Sequence, residues 1–292
     1  MSTPAVRTVL VTGATGNTGG ALLKLLNERR VAVRVLVRHD RDAAKLGMPA
    51  DSIAVGDFDD ADSIAAALRS VDSAYLVTPS SSSAEAQQVR FAELAAAAKV
   101  RHIVKLSQLA ADEASPVRFL RYHAAVERRI RELGIGYTFL RPNLYFQGFL
   151  AFRGTIASTG KIFAPIGEAR VSAVDVRDIA AVAALALTQP GHFGKTYTIT
   201  GPSAITHTEM ARAIGEAIGR EVSFVDVPPG AFADALRGFG VPPWQVEGLV
   251  EDYAHYSRGE ASQVHSTVRD LTGVEPRDAR TFARDHAAAF AS

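Results

Sequence analysis

Val6-Arg-Thr-Val-Leu-Val-Thr-Gly-Ala-Thr-Gly-Asn-Thr-Gly-Gly20 decides the fold. Val6–Thr12 is a β-branched apolar run, and it passes directly into a turn rich in glycine, threonine and asparagine. Beyond the turn, Ala21–Arg29 carries Leu22, Leu23, Leu25 and Leu26, an apolar helical stripe. Strand, glycine loop and helix in this order predict a dinucleotide-binding turn. Gly13 permits the tight turn, Gly16 lets backbone approach a pyrophosphate, and Gly19 lets helix and strand pack closely. Thr15, Asn17 and Thr18 add hydroxyl and amide donors, and the helix start offers unpaired N–H groups with a partial positive charge.

Working outward, strand patterns recur at Val31–Val37, Ser52–Val55, Ser73–Val77, His102–Leu106 and Tyr137–Leu140. Helical patterns lie between them at Ala61–Leu68, Ala84–Ala98 and Phe119–Leu133. This alternation predicts an α/β fold, a Rossmann doubly wound parallel sheet covered on both faces. After Leu140 the rhythm breaks. Asn143–Ser158 reads as helical, and Gly160–Ala164, Ala169–Ala173, Thr196–Thr200 and Glu221–Val227 read as short strands. Thr206-His-Thr-Glu209 is a capping box, and Asp178 is expected to cap the alanine-rich helix that follows it. The expected organisation is a dinucleotide-binding domain over residues 1–145, joined by about 170–190. A smaller C-terminal α/β substrate lobe is expected over 146–292, interleaved with it.

The ends of the strands supply the candidate coenzyme contacts. NAD-preferring sites place an acid at the end of the second strand, whereas here Val37 is followed by Arg38. A guanidinium suits a 2′-phosphate, so NADP(H) is favoured over NAD(H). Asp57 and Phe58 follow the third strand and are candidates for the adenine amino group and ring. Thr78 follows the fourth strand and Ser107 the fifth, where open parallel sheets bind their ligands.

Composition narrows the classes. The chain has 292 residues, 47% hydrophobic and 22% charged, with a net charge of +1. That predicts a globular protein with a large core and no electrostatic footprint for nucleic acid. No apolar run is long enough to span a membrane, and Met1–Val11 lacks the regions of a secretory leader. Cysteine is absent, which excludes disulfides and thiolate chemistry. A cytoplasmic location is expected. The eight histidines are scattered, with no metal-ligand spacing, and His255 and His265 are expected at the surface.

Several segments together resemble the NmrA-like group of atypical short-chain dehydrogenases/reductases. The carriers are Val11–Gly19, Val37-Arg38, Gly56-Asp57, His123-Ala-Ala-Val-Glu127, Gly136-Tyr-Thr-Phe-Leu-Arg-Pro142, Val174-Asp-Val-Arg-Asp-Ile-Ala180 and Tyr197-Thr-Ile-Thr-Gly201. The resemblance spans essentially the whole chain. It points to the branch of type 2 NADPH:quinone oxidoreductases and triphenylmethane dye reductases. It implies NADP(H) binding, with the segment matching Arg141–Phe146 alongside the nicotinamide. That adds Pro142, Asn143 and Tyr145 to the candidate set.

Standard short-chain dehydrogenases use a Tyr-x-x-x-Lys pair. Here Tyr122 is followed four residues later by Val126, and no lysine lies between Lys105 and Lys161. The pair is absent, which disfavours alcohol–ketone chemistry and a sugar isomerase or epimerase. Quinones and dye cations need less assistance, because hydride addition gives a stabilised product. The expected function is therefore reduction of a planar aromatic acceptor by NADPH, most of all a quinone. That acceptor includes the case of a polyketide quinone reduced as part of a hydroxylation system. The alternative is a non-catalytic redox sensor that binds NAD(P). Tyr145 and His123 are the candidate catalytic residues, and Tyr145, Phe149 and Trp244 the candidate pocket walls. A small aromatic substrate is the expected partner, with the chain a monomer or homodimer.

Overall fold

The computed structural model describes residues 8–291. Val6 and Arg7, expected in the first strand, lie outside the described residues. The elements run β1 (Thr8–Val11), α1 (Asn17–Glu28), β2 (Ala32–Val37), α2 (Asp40–Ala44), β3 (Ile53–Val55), α3 (Ala61–Ala67), β4 (Ser73–Leu76), α4 (Ala84–Ala97), β5 (His102–Leu106), α5 (Arg118–Glu132) and β6 (Gly136–Pro142). They continue through α6 (Arg153–Thr159), β7 (Lys161–Ala164), α7 (Val176–Thr188), β8 (Lys195–Ile199), α8 (His207–Ile218) and β9 (Ser223–Asp226). The chain ends in α9 (Pro229–Gly238), α10 (Pro243–Ser257), α11 (Thr267–Thr272), α12 (Ala279–Asp285) and α13 (Ala287–Ala291).

Among the described residues, seven strands form one sheet in the order β3-β2-β1-β4-β5-β6-β8, and β7 pairs with β9 in a second. The pairs β1–β2, β2–β3, β1–β4, β4–β5 and β5–β6 are all parallel. The order reverses between β1 and β4, the switch point at which a Rossmann sheet opens a crevice. β1, β4 and β5 are apolar nearly throughout, as strands covered on both faces must be. Thr8, Ser73 and His102 are polar, and Lys105 places an amine inside β5.

The chain divides into two compact units. The first comprises the residues up to Glu113, Tyr122–Arg141 and Ile179–Tyr197; the second comprises Ala114–Arg121, Pro142–Asp178 and Thr198 onward. One core of the first unit packs Leu10, Leu76, Ile103 and Phe139 of the sheet against Ile64, Phe91, Val126 and Ile130 of α3, α4 and α5. The second unit has its own core, in which Phe146, Phe149, Ile162, Met210, Phe282 and Phe290 meet.

Three local expectations are corrected. Asn143–Ser158 is not one helix: Phe146–Phe152 is a tight 3-10 segment leading into α6. Ala169–Ala173 is not a strand, because Val171 pairs only with Ile205 and Val174 only with Tyr145, as isolated bridges. Asp178 does not cap α7. Asp175 does so, its Oδ1 accepting the Arg177 N–H at 2.9 Å, while Asp178 accepts from Arg277 backbone and guanidinium. Asp175 and Arg177 also pair directly, at 2.7 Å. The Thr206 capping box is present as expected.

Candidate active site

The glycine loop follows β1, and its geometry explains each glycine. Gly13 has φ +63°, and a Cβ there would sit 2.6 Å from Val77 Cγ1. A Cβ on Gly19 would lie 2.2 Å from the Gly13 carbonyl oxygen, so the helix presses directly on the loop. Gly16 is exposed and is the N-cap of α1, with no side-chain cap and no acid in the first turn. No protein group among the described residues accepts from the N–H groups of Asn17, Thr18 and Gly19. Uncapped amides over a cradle without side chains fit a pyrophosphate. Thr15 and Asn17 are exposed at this rim. Thr18 is buried beside them. Thr12 fixes the switch point beneath, its hydroxyl 2.8 Å from both the N–H and the carbonyl of Val77.

Arg38 stands at the end of β2 with its side chain 57% exposed, 3.5 Å from Asp57. The Asp57 carboxylate also accepts the Asp59 N–H. Phe58 is half-buried, with one side of its ring packed against Phe91 at a centroid distance of 5.9 Å. The Thr78 hydroxyl accepts from Gln88 Nε2 at 2.8 Å and is buried. Pro142 closes β6 and is buried. Both amide hydrogens of Asn143 are used within the second unit, on Ser172 Oγ and Ala261 O, so its side chain offers no donor to a coenzyme.

Behind β5 lies a polar cluster between the strand and α5. Ser107 Oγ donates to Glu127 Oε1 at 2.6 Å, so this hydroxyl too is directed inward rather than toward a ligand. Glu127 is fully buried, and Arg141 grips it at 2.7 and 2.9 Å while Arg131 reaches it at 3.1 Å. Burial pushes the Glu127 carboxyl up, but the Arg141 and Ser107 hydrogen bonds outweigh this and hold it below the usual range. His123 Nδ1 lies 2.7 Å from Nζ of the fully buried Lys105, and its ring packs on Tyr122. The lysine partner went unread because it comes from a different element; the available signal was a charge inside the apolar strand His-Ile-Val-Lys-Leu.

In the second unit, Tyr145 is half-buried at the start of the 3-10 segment. Trp244 is half-buried against Phe119, with Arg118 over its ring. Phe149 is corrected: it is 3% exposed and packs in the core against Phe152 and His207. His255 is also corrected, being buried and paired with Glu260. Among the described residues no cluster has metal-holding geometry, and no helix is long and apolar enough to cross a membrane.

A doubly wound sheet with an uncapped glycine turn at its switch point and a basic residue after β2 defines a dinucleotide-binding α/β protein of the Rossmann class. The chain belongs to the NmrA-like family, whose profile matches residues 6–273. It is 34% identical to the NAD(P)H azoreductase of Xenophilus azovorans over 282 residues, covering 97% of this chain and 99% of that protein. It is 36% identical to the (4-alkanoyl-5-oxo-2,5-dihydrofuran-3-yl)methyl phosphate reductase of Streptomyces griseus, over 97% and 99% of the two chains. The NADPH complex of the Escherichia coli quinone oxidoreductase QOR2 superposes with a TM-score of 0.85 at 26% identity, covering 94% of this chain and 98% of that one.

Proposed function

We propose that this protein is an NAD(P)H-dependent oxidoreductase that reduces planar, electron-poor conjugated acceptors, with quinones the preferred class. The observation that carries the reading is the glycine turn, whose three unpaired amides open α1 beside a bend too tight for a side chain at Gly13 or Gly19. Gly13, Gly16, Gly19 and the α1 amides would hold the bridging phosphates, and Arg38 the 2′-phosphate that favours NADP(H). The bound coenzyme supplies hydride. The relatives' names support the acceptor class: an azo compound, a quinone and an alkanoyl-oxo-dihydrofuran are each electron-poor conjugated systems. Such acceptors take hydride to give delocalised anions, so they do not demand the missing Tyr/Lys pair. Tyr145 and Trp244 are the aromatic side chains assigned to the acceptor. Polyketide quinones fall within this class, and their reduced forms could feed an oxygen-dependent hydroxylation.

NADPH consumption, followed by nicotinamide absorbance against a panel of a naphthoquinone, an azo dye and a triphenylmethane dye, tests the reading. Turnover fastest with the quinone is expected; no turnover with any of the three overturns it.

A further inference from the structure

We propose that Lys105 and His123 form a two-membered proton relay that protonates the reduced acceptor. The proposal rests on the reductase reading above and supplies the proton donor which that reading lacks.

Lys105 lies in β5 between β4 and β6, facing α5, and none of its surface is exposed. Its Nζ lies 2.7 Å from His123 Nδ1 and 3.1 Å from the Leu106 carbonyl oxygen. Among the described residues no carboxylate comes within ion-pair distance of it. Glu127 is the nearby acid, and Arg141, Arg131 and Ser107 already satisfy it. A buried ammonium without a counter-ion is an expensive way to fill a strand interior, where an apolar residue would serve stability as well or better. The lysine therefore calls for a role beyond packing.

An ammonium can only donate, so Nδ1 of His123 is the acceptor and the ring proton is on Nε2. His123 keeps 8% of its surface, and no protein group bonds its Nε2 among the described residues, yet Nε2 is not a buried orphan. With Nδ1 accepting from Lys105, Nε2 is the imidazole N–H left to donate. The charged and titratable groups around the couple are Glu127 and Tyr122 on α5 and Arg141 on β6. Burial lowers Lys105 to about 7, with Glu127 opposing and Arg141 reinforcing that shift. Burial, then Lys105 and Arg141, drives His123 well below its ordinary value. At neutral pH the pair is thus a neutral imidazole backed by an ammonium ready to release a proton, the condition a general acid requires.

The step balances. A quinone gains two electrons and one hydrogen as hydride, the coenzyme being oxidised, and becomes a hydroquinone monoanion. Its oxyanion takes the Nε2 proton as Lys105 passes one to Nδ1. An O–H bond forms, one N–H bond of Lys105 breaks, and His123 ends as the other neutral tautomer beside a neutral amine. Water restores the proton through the same imidazole.

The test compares wild type with Lys105→Met and His123→Asn on two acceptors. A neutral naphthoquinone needs a proton after hydride, whereas a cationic triphenylmethane dye is neutralised by hydride alone. In each variant the ratio of quinone to dye kcat/KM should fall roughly a hundred-fold. Wild-type quinone reduction should decline as pH rises through about 7, and Lys105→Met should lose that limb. NADPH affinity reports that each variant has folded. Nitrogen-15 NMR of histidine-labelled protein should show His123 neutral with its proton on Nε2 at pH 6, before any coenzyme is added. Equal loss on both acceptors, an unchanged pH profile, or an imidazolium at pH 6 overturns the relay. Absence of wild-type turnover with the naphthoquinone, the azo dye and the triphenylmethane dye alike overturns the reductase reading instead, and the NMR measurement still decides the relay's ground state.

Discussion

Arg38 shows what a single residue can disclose. Its place after β2 is readable because the glycine turn fixes which strand is second, and strand ends are where nucleotide contacts collect. Arg38→Asp should weaken NADPH binding by about ten- to a hundred-fold, the loss of one or two charge-assisted hydrogen bonds. NADH affinity should change several-fold less, since it carries no 2′-phosphate; titration calorimetry with both coenzymes measures the split. Equal losses would remove the residue from 2′-phosphate recognition. Gly13 and Gly19 were legible for the same local reason, since each answers a backbone constraint set within a few residues. The pairing of Lys105 with His123 was not, although His123 by itself stood among the candidate catalytic residues. The two lie 18 positions apart on a strand and a helix, and only the packing of α5 on the sheet makes them partners. Ser107, Thr78 and Asn143 are the converse case. Their positions in sequence suit a ligand, but their polar atoms face Glu127, Gln88 and Ser172.

At the level of elements, strands covered on both faces and helices with strong end signals were readable, and irregular pairings were not. α8 is the clearest success. Thr206 accepts the Glu209 N–H at 3.0 Å, and the Glu209 carboxylate accepts the Thr206 N–H at 2.8 Å. Thr206→Ala should destabilise the fold by about 1 kcal/mol, read as a lower denaturant midpoint, with coenzyme affinity unaltered. A change below a few tenths of a kcal/mol would mean that packing of Met210 and Ile214 alone sets the helix start. The segment Ala169–Ala173 failed because β-branched and small residues signal extended backbone, not a ladder. Val171 exchanges both of its backbone hydrogen bonds with Ile205, but that of Ala169 goes to Ile166 and those of Ser172 to Ala261 and Gly201, so no ladder propagates. The 3-10 start of Phe146–Phe152 was likewise hidden, because aromatic spacing reads the same in both kinds of helix.

Over the whole molecule, buried histidines set the response to acid. His102 and His207 are lowered to about 4 by burial, with His192 adding to the effect at His102, and His123 falls well below its ordinary value. In the unfolded chain all three titrate near 6.5, so between about 6.5 and 4 the unfolded state binds more protons than the fold. Their contribution to stability is complete above that window and is lost as pH falls through it. Near pH 5 the slope should approach about 1.4 kcal/mol per pH unit for each histidine. Denaturation at a series of pH values measures it, and His102→Gln should remove between about a quarter and a third of the slope, since burial lowers His192 as well. A flat profile over this range would show that the histidines are protonated in the fold. Linear order has a further consequence. The sheet of the first unit is built from segments that the second unit interrupts, and its outermost strand ends at Ile199. On the ribosome, that layer stays unfinished while Pro142–Asp178 emerges, so the two units mature together during translation and no single cut in the gene would free either one.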